Sequence, residues 1–427
     1  MSSLILNARW ILPVTGRPIE NGCLRIADGR IASVQRAQPG QTCDVDYGDA
    51  VILPGLVNAH THLDLTAFRG CVPYLGAFTD WIRILVSMQT AAGADERMDE
   101  GIRVGLDESL AAGVTCIADI GCGQRAATAW SNAPANIVGF LEVIGMGPRR
   151  FDTHPRSLRK SLETCDAARA TAVGDRSTSA TDSCVSPRVF IPTLSPHAPY
   201  STAPEVYREA MAYCRRHGLP ICTHLAETQE EAEFLAHGTG PFRTLLEHRG
   251  LWDGSFTPPG CSPVQYAASI GLLESQPLLA HVNYVSDEDI DLLARHCCSV
   301  AYCPRTHRFF RHPPHPYPRM LARGLNVCLG TDSLASAPSL SILEEMRLFR
   351  EIDPAVGDSL LLEMGTLRGA RALGLENVLG SLEPGKQADF VVFPLTAPAA
   401  EPMEDLLRGQ SSPLAVYVGG RAVAGHS

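Results

Sequence analysis

Two closely spaced histidines are the first residues in this sequence that could bind a metal ion. His60 and His62 close the apolar run LVNAHTHL and are separated by one residue. Alternate side chains of a β-strand project from the same face, so both imidazoles can reach one ion from one rigid element. Such a pair also occurs as two ordinary polar histidines at a strand end, so the motif needs support from elsewhere.

Three further apolar runs supply that support, because each ends in imidazole or carboxylate groups. PICTHLAE contains His224 and Glu227, PLLAHVNY contains His281, and NVCLGTDS contains Asp332. One buried histidine is common in a protein core, but this many ionisable residues at strand ends indicate an active site. Neutral imidazoles with one carboxylate suit Zn²⁺, and Fe²⁺ or Mn²⁺ accept similar ligands. We therefore expect one divalent cation, with zinc as the first choice.

The elements that must position these residues alternate along the middle of the chain. Eight β-like runs are each followed by a longer amphipathic stretch: LVNAHTHL, VTCIADI, NIVGFLEVIG, VFIPTLSPH, PICTHLAE, PLLAHVNY, SVAYCPRT and NVCLGTDS. Eight such units predict an α/β fold with a parallel sheet, at this length a (β/α)8 barrel of the TIM type, with an open doubly wound sheet as the alternative. Barrel enzymes carry their sites at the carboxyl ends of the strands, where the residues above fall.

Both ends of the chain have a different pattern of short β-like runs and turns. Residues 1–54 contain LILNARWILPV and CLRIADGRIASV, and the C-terminal part resumes this pattern with GSLEPGKQADFVVFPL and AVYVGGRAV. We predict that residues 1–54 and 382–427 form one small β-sandwich domain and that residues 55–381 form the barrel. Two segments, 166–187 and the proline-rich RHPPHPYP at 311–318, are predicted to be non-helical features of the surface or the barrel mouth.

Composition narrows the classes of function and of partner. The 427 residues are 45% hydrophobic and 19% charged, which is typical of a globular protein with a large core. The net charge is −10 and the sequence has no block of basic residues. It therefore lacks the basic surface that is typical of proteins that bind nucleic acids or anionic membranes. No apolar run reaches the ~20 residues that span a bilayer, and the N-terminus lacks a secretory pattern. We expect a cytoplasmic protein that binds a small molecule and keeps its 14 cysteines reduced. A homodimer would be an ordinary state for it.

Four motifs together resemble the amidohydrolase superfamily. PGLVNAHTHLD, THLAET, LLAHVNY and LGTDSLAS occur in this order, and GSLEPGKQADFVV resembles the superfamily's C-terminal β segment. The resemblance implies a metal-dependent barrel hydrolase. Its two-metal members usually bridge the ions with a carboxylated lysine from the fourth strand, but VFIPTLSPHAPY has none, and the only lysines are Lys160 and Lys386. The chain is therefore more similar to the mononuclear branch of cytosine and adenosine-type deaminases.

The resemblance to that branch assigns a role to each ionisable residue. It implies His60, His62, His224 and Asp332 as metal ligands. His281 would orient the metal-bound water, Asp332 would accept its proton, and Glu227 would protonate a ring nitrogen next to the amino-bearing carbon. The implied reaction is hydrolytic deamination of a cyclic amidine with release of ammonia. Glu227 also begins the polar stretch ETQEEAEF, so a solvated carboxylate at a helix start is the alternative.

Substrate contacts are predicted at a few further positions. By the same resemblance His197, in SPHAPYST, hydrogen-bonds the substrate at the mouth; otherwise it caps the helix that follows. Phe78 or Trp81 would stack on a flat ring, or these aromatics pack their loop onto the barrel. Arg305 or His307, in AYCPRTHRFF, would meet a substrate carboxylate, with the role of a structural anchor as the alternative for Arg305.

The predicted substrate is an aminopurine nucleoside. Methylthioadenosine and S-adenosylhomocysteine deaminases usually carry a ribose-binding glutamate soon after a tryptophan like Trp81, whereas this chain has Ser87-Met88-Gln89-Thr90 there. HTHLDLT, FTDW and AYCPRTHRFF are more similar to aminodeoxyfutalosine deaminases, so we predict deamination of aminodeoxyfutalosine or an adenosine-like nucleoside. Deamination of a cytosine or guanine-type base and s-triazine hydrolysis are the enzyme alternatives. The non-enzyme alternative is an inactive barrel scaffold, which should lack some of the residues that are all present here.

Overall fold

The computed structural model describes residues 3–146, 156–178, 188–252, 254–396, 401–409 and 411–425. The strands of this part are β1 (Ser3–Ile11), β2 (Ile19–Ala27), β3 (Arg30–Arg36), β4 (Val45–Asp46), β5 (Ala50–Pro54), β6 (Leu56–Thr61), β7 (Val114–Gly121), β8 (Asn136–Val143), β9 (Phe190–Pro196), β10 (Cys222–Leu225), β11 (Leu278–His281), β12 (Ser299–Tyr302), β13 (Asn326–Leu329), β14 (Phe390–Pro394), β15 (Ala415–Val418) and β16 (Arg421–Gly425).

Helices separate most of the central strands, as the alternating pattern predicts. Their bounds are α1 (Phe78–Gln89), α2 (Ala94–Ala111), α3 (Gly123–Asn132), α4 (Leu158–Thr178), α5 (Pro204–His217), α6 (Gln229–His237), α7 (Pro241–His248), α8 (Pro263–Ser269), α9 (Asp287–Arg295), α10 (Pro304–Phe309), α11 (Tyr317–Ala322), α12 (Ile342–Ile352), α13 (Asp358–Met364), α14 (Leu367–Ala372) and α15 (Pro402–Arg408). Within the described ranges, no helix is both long and apolar enough to cross a membrane.

Strands β6 to β13 form the predicted eight-stranded parallel barrel. They pair in two runs, β6-β7-β8-β9 and β10-β11-β12-β13, in which neighbours in sequence are neighbours in space. Single parallel bridges join the two runs, one between Leu194 and Ile221 and the other between Thr61 and Asp332. The second bridge closes the barrel at a predicted metal ligand. All eight predicted barrel strands are therefore present, and their carboxyl ends meet at one rim.

Strands from both ends of the chain form a separate antiparallel-rich sheet, as expected. Its order is β16-β15-β14-β5-β1-β2-β3, with β4 paired to β1. An antiparallel bridge joins Arg30, in the edge strand β3, to Gln387 just before β14, so the sheet folds back on itself. Apolar side chains such as Leu6, Ile52 and Phe390 fill the enclosed core. Folding over this core lets a single sheet bury its apolar face.

A buried polar network joins the terminal sheet to the amino-terminal end of barrel strand β8. Asn136 donates its Nδ2 hydrogen to Oδ2 of Asp389 over 2.8 Å, and Gln387 donates to Oδ1 of Asn136 over 3.0 Å. The backbone amide of Gly419 donates to Asp389 over 2.7 Å. Burial still raises the pKa of Asp389, to about 6. The network lies at the opposite end of the barrel from the rim and therefore stabilises the fold rather than the site.

Two predictions about connecting segments need correction. The segment 166–187 was expected to be a loop, but α4 extends through residue 178, because alanine and arginine favour helix more strongly than the small polar residues oppose it. Residues 179–187 lie outside the described part. The segment 311–318 is non-helical only as far as Pro316; α11 begins at Tyr317, with Pro318 in its first turn, where a missing N–H costs little. His315 and Tyr317 are buried, so this segment is not simply a surface feature.

Candidate active site

Five ionisable residues from four strands meet at the carboxyl rim of the barrel. His60 lies in β6 and His62 follows it, His224 lies in β10, His281 ends β11, and Asp332 follows β13. Ligand atoms of His60, His224 and His281 all lie within 4.8 Å of one another, and so do those of His60, His62 and Asp332. Strand alternation and the common rim thus bring together residues that are far apart in sequence.

Several distances between these ligand atoms are close to those expected around a tetrahedral ion. The Nε2 atoms of His62 and His224 are 3.2 Å apart, and Oδ1 of Asp332 is 3.8 Å from Nε2 of both His60 and His62. Zinc–nitrogen bonds of ~2.1 Å in a tetrahedron place neighbouring ligand nitrogens about 3.4 Å apart. The cluster therefore has room for a single zinc ion and matches its ligand preference.

His60 provides an independent test of whether a cation fits. Its side chain is fully buried, and neither ring nitrogen has a hydrogen-bond partner among the described residues. A buried imidazole without partners is costly, and a cation at Nε2 removes part of that cost. Burial, followed by the neighbouring imidazoles, lowers the pKa of His60 well below its usual value, and burial lowers the pKa of His62 to about 3. Both rings are therefore neutral, as metal ligands must be.

Hydrogen bonds from outside the cluster orient two of the candidate ligands. Nδ1 of His224 lies 3.0 Å from the carbonyl oxygen of His197, which can only accept, so Nδ1 carries a hydrogen and Nε2 faces the cluster. The Ser336 hydroxyl donates to Oδ2 of Asp332 over 3.0 Å, which leaves Oδ1 facing the histidines. Contacts of this kind fix the tautomer and direction of metal ligands.

The backbone at three strand ends adopts the left-handed region, although none of the residues is glycine. The φ angles are +51° at Ala226, +71° at His281, +54° at Val282 and +54° at Asp332. Such conformations cost free energy and cluster at functional sites. Here they turn the chain sharply where the side chains enter the rim. The Thr61 hydroxyl holds one of these turns by donating to the carbonyl oxygen of Asp332 over 2.7 Å.

Glu227 lies in the same group and not in solvent. The residue is buried, and its Oε1 is 3.6 Å from Nε2 of His281. Burial raises the pKa of Glu227 well above its usual value, and the charges of Asp332 and Glu231 raise it further. The alternative of a solvated carboxylate at a helix start is therefore incorrect. A buried carboxyl group with a raised pKa holds its proton more strongly than an exposed one and can act as a proton donor.

Comparison with known proteins agrees with this geometry. Residues 51–423 match the sequence model of the amidohydrolase family, which is most of the chain. The chain belongs to the amidohydrolase family. This amidohydrolase is 31% identical over 412 residues to the 5-methylthioadenosine/S-adenosylhomocysteine deaminase of Desulforudis audaxviator, covering 93% of this chain and 86% of the relative. It is 28% identical over 415 residues to the deaminase of that name from Saccharophagus degradans, with 92% and 83% covered.

Solved amidohydrolase-fold structures superpose on the whole chain. An adenosine deaminase from Xanthomonas campestris with bound zinc has a TM-score of 0.79 at 22% identity and covers 99% of this chain and 93% of its own. Helicobacter pylori aminofutalosine deaminase in complex with methylthio-coformycin has a TM-score of 0.80 at 21% identity, with 99% and 100% covered. At these identities the likeness supports the barrel and terminal sheet, not a substrate.

The cluster of this amidohydrolase lies in the wall of a cavity of about 450 Å³. Helices α1 and α7 contribute apolar side chains to the lining, among them Leu85 and Leu245, and Gln89 lies at the end of α1. A cavity of this size and mixed lining is typical of a site for a small organic ligand. His197 also lines it, with Nδ1 2.6 Å from the hydroxyl oxygen of Ser201. His197 does not cap α5, because the N-cap residue there is Ala203.

The aromatic side chains predicted to contact the substrate pack against one another at the edge of the cavity. Phe78 and Trp81 both line the cavity, and their rings stack on each other with centroids 5.9 Å apart. Phe310 meets each of these rings edge-on at a centroid distance of 5.0 Å. These contacts hold the aromatic side chains against one another, and stacking of a substrate ring on Phe78 or Trp81 stays a prediction. Trp81 remains a boundary of the cavity.

Arg305 and His307 do not line the cavity. The guanidinium of Arg305 is 2.6 Å from a carboxylate oxygen of Glu344 and 3.7 Å from one of the buried Glu345. His307 is buried against the ring of Tyr302, and burial lowers its pKa to about 4. This placement corrects the prediction that either residue meets a substrate carboxylate. Because α10 follows β12 directly and turns away, the side chains at these two positions face the neighbouring helix α12 and the core.

A second, polar part of the cavity wall was missed by sequence reasoning. It contains Asp64, Glu142 and Arg156, and Arg156 is 2.7 Å from Glu142 through its Nε atom. Burial raises the pKa of Asp64 to about 6. Two signals could have identified these acids, because Asp64 continues the alternation of His60 and His62, and Glu142 lies at the carboxyl end of β8.

Proposed function

We propose that this amidohydrolase is a hydrolytic deaminase of adenine nucleosides. In this reaction the amino group on a ring carbon is replaced by oxygen from water, and ammonia is released. The observation that carries the proposal is the position of Glu227, a buried carboxyl group 3.6 Å from His281 in the same cavity as the histidine cluster. This pairing places a proton donor next to the residues suited to activate water.

The residues that would hold the divalent cation are His60, His62, His224 and Asp332. A bound zinc ion supplies Lewis-acid chemistry and makes water a stronger nucleophile at neutral pH. His281 adds a neutral imidazole on the side of Glu227, because burial lowers the pKa of His281 well below its usual value. That imidazole can hold a water molecule by one hydrogen bond and so position the water against the substrate.

The proton transfers follow from the two carboxyl groups. The protonated Glu227 donates its hydrogen to a ring nitrogen, which makes the adjacent amino-bearing carbon more electrophilic. As water adds to that carbon, the carboxylate of Asp332 accepts one of its protons. Asp332 then returns this proton to the amino group, which leaves as ammonia, and the hydroxyl proton on the ring carbon passes to Glu227 as the carbonyl forms. Burial of both carboxyl groups excludes bulk water from these transfers.

The substrates that we propose first are adenosines with a thioether on the 5′ carbon, methylthioadenosine and S-adenosylhomocysteine. The relatives named above are methylthioadenosine and S-adenosylhomocysteine deaminases, and the cavity has apolar side chains from two helices beside its polar base. This chain lacks the ribose-binding glutamate that such deaminases usually carry after the tryptophan. Gln89 lies in that region and lines the cavity, and its amide can also hydrogen-bond hydroxyl groups. Aminodeoxyfutalosine is the second candidate: the residues predicted to meet its carboxylate lie elsewhere, but Arg125, Arg156 and Arg249 line the cavity.

The experiment is a substrate panel with purified, zinc-loaded protein. Methylthioadenosine, S-adenosylhomocysteine, adenosine, aminodeoxyfutalosine, guanine, cytosine and melamine are assayed for ammonia release, and the purines also for the ultraviolet change that accompanies loss of the amino group. We expect the two thioether nucleosides to have the highest kcat/KM. Turnover of a free base or a triazine, with none of any nucleoside, would refute the proposal.

The proposed setting is the cytoplasm, with the chain as a homodimer. The cysteines of the described residues are all free thiols, which suits a reducing compartment. Light scattering on the purified protein tests the dimer, and fractionation of cells that express the chain tests the compartment.

A further inference from the structure

The proline-rich segment 311–318 carries a buried histidine that contacts the back of the active site. His315 is only 6% exposed and does not line the cavity. It lies between α10 and α11, in the segment RHPPHPYP, to which the proposed chemistry gives no role. Its imidazole nevertheless reaches a residue of the rim.

The contact is a hydrogen bond to the backbone of His281. Nε2 of His315 is 2.8 Å from the carbonyl oxygen of His281, and the backbone amide of Tyr317 lies 3.0 Å from Nδ1 of His315. An amide N–H can only donate, so Nδ1 is the acceptor and the hydrogen of the neutral ring is on Nε2. The tautomer of His315 is thereby fixed in the form that donates to His281.

The backbone that receives this bond is in an unfavourable conformation. His281 and Val282 have φ angles of +71° and +54°, and the pairing of β11 with β12 ends one residue earlier, at Ala280. A left-handed pair of non-glycine residues persists only when its surroundings hold it. His281 still pairs with Leu225 of β10 on its other side, and His315 supplies the hydrogen-bond donor for its carbonyl oxygen. Loss of this partner leaves a buried carbonyl group unsatisfied.

The donor is itself rigidly placed. The ring of His315 stacks on that of Tyr302 in β12, with centroids 4.1 Å apart and an interplanar angle of 22°. Prolines at 313, 314 and 316 restrict the backbone on both sides of His315. The segment therefore holds the imidazole against the barrel without the support of a helix or strand.

We propose that His315 is a positioning residue for His281. By holding the His281 carbonyl it fixes the left-handed turn, and this turn directs the His281 imidazole at the ligand cluster and at Glu227. The effect on reaction rate rests on the proposed deaminase function, but the effect on the geometry of the cluster does not.

The test compares His315→Phe, which keeps a flat ring but has no donor, with His315→Gln, whose amide nitrogen can still donate. His312→Phe is the matched control, because His312 lies in the same segment and pairs with the hydroxyl of Tyr284 instead. Each zinc-loaded protein is assayed for kcat, KM and thermal unfolding. Each is also loaded with Co²⁺, and its visible absorption spectrum reports the geometry around the ion without any substrate.

For His315→Phe we expect kcat to fall at least about tenfold, KM to stay within about twofold of the parent value, and the cobalt spectrum to change. His315→Gln and His312→Phe should match the parent in all three. A parent-like kcat and cobalt spectrum in His315→Phe would overturn the proposal. So would an equal loss in His315→Gln, which would assign the effect to ring packing on Tyr302.

Two further outcomes are covered by the same design. If His315→Phe does not fold, His315→Asn replaces it, since its shorter amide cannot reach the carbonyl oxygen; equal cobalt spectra for the Asn and Gln variants would then overturn the proposal. If the parent protein deaminates no nucleoside, the proposed function fails, and the cobalt spectra still decide the role of His315.

Discussion

The carboxylate of Glu231 holds the backbone of Glu227. Its two oxygens accept the amide hydrogen of Glu227 over 2.9 Å and that of Ala226 over 3.0 Å. Glu231 is fully buried in the first turn of α6, and Ala226 has a φ of +51°. Because one carboxylate satisfies both amides of this strained turn, it sets the direction in which the Glu227 side chain leaves the backbone. Burial raises the pKa of Glu231 to about 7.

Replacement of Glu231 should therefore reduce catalysis without removing the metal. A Gln side chain has one acceptor oxygen, so Glu231→Gln leaves one amide unsatisfied, with an expected cost of about 1 to 3 kcal/mol in the free energy of unfolding. We expect kcat to fall about tenfold, with unchanged zinc content. Steady-state kinetics and elemental analysis check this. Glu230→Gln, at the neighbouring and partly exposed position, is the control; an equal loss there would contradict the role of Glu231.

Glu227→Gln tests the proton donor itself. The amide keeps the size of the side chain but cannot transfer a proton to a ring nitrogen, so kcat should fall by about 10² to 10⁴. The ligand residues are untouched, and zinc content should equal that of the parent. Deamination at the parental rate would show that another group donates the proton.

His60→Ala and Asp332→Ala test the ligand set. Each variant removes one ligand, so both should retain less zinc after dialysis, as measured by elemental analysis. His248→Ala, at an exposed position on α7, should retain the parental amount. Full stoichiometry in both ligand variants would mean that the ion lies elsewhere.

The lysines provide a test against a lysine-bridged pair of ions. Lys160 lies in α4 and pairs with Glu163, and Lys386 pairs with Glu383 near the terminal sheet. Neither contacts the rim, so Lys160→Met and Lys386→Met should bind zinc as the parent does, by elemental analysis. A variant that lost its zinc would require a bridging lysine.

Asp389 should make the protein less stable as pH rises. The folded state raises the pKa of Asp389 to about 6, above the unfolded value of about 3.9. Between these two pH values the folded protein therefore binds more protons than the unfolded chain. Its favourable contribution is fully present below pH ~4 and is lost as pH rises through ~6, which amounts to about 3 kcal/mol. Urea unfolding at acidic and neutral pH should show a smaller pH difference for Asp389→Asn than for the parent. The control Asp28→Asn, at an exposed turn, should keep the parental difference; a parental difference in Asp389→Asn would refute the linkage.

Local pattern was enough to predict the barrel and the residues at its rim. Eight apolar runs became strands β6 to β13 because period-two burial and the helices between them are encoded within short windows. The rule that parallel strands end at one rim then brought His60, His224 and Asp332 together without any tertiary information. The misread segment 166–178 shows the limit of composition, since its helix propensity outweighed its small polar residues.

Contacts between distant segments could be decided only by the tertiary structure. The sequence contains Glu231, His315 and Glu142, but nothing local shows that Glu231 holds two backbone amides, that His315 reaches a carbonyl 34 residues away, or that Glu142 faces Arg156. Arg305 was placed wrongly for the same reason, because its partner Glu344 lies on a later helix. Periodicity specifies which face of a helix or strand is buried. Closure of the barrel then determines which buried polar groups lie opposite one another.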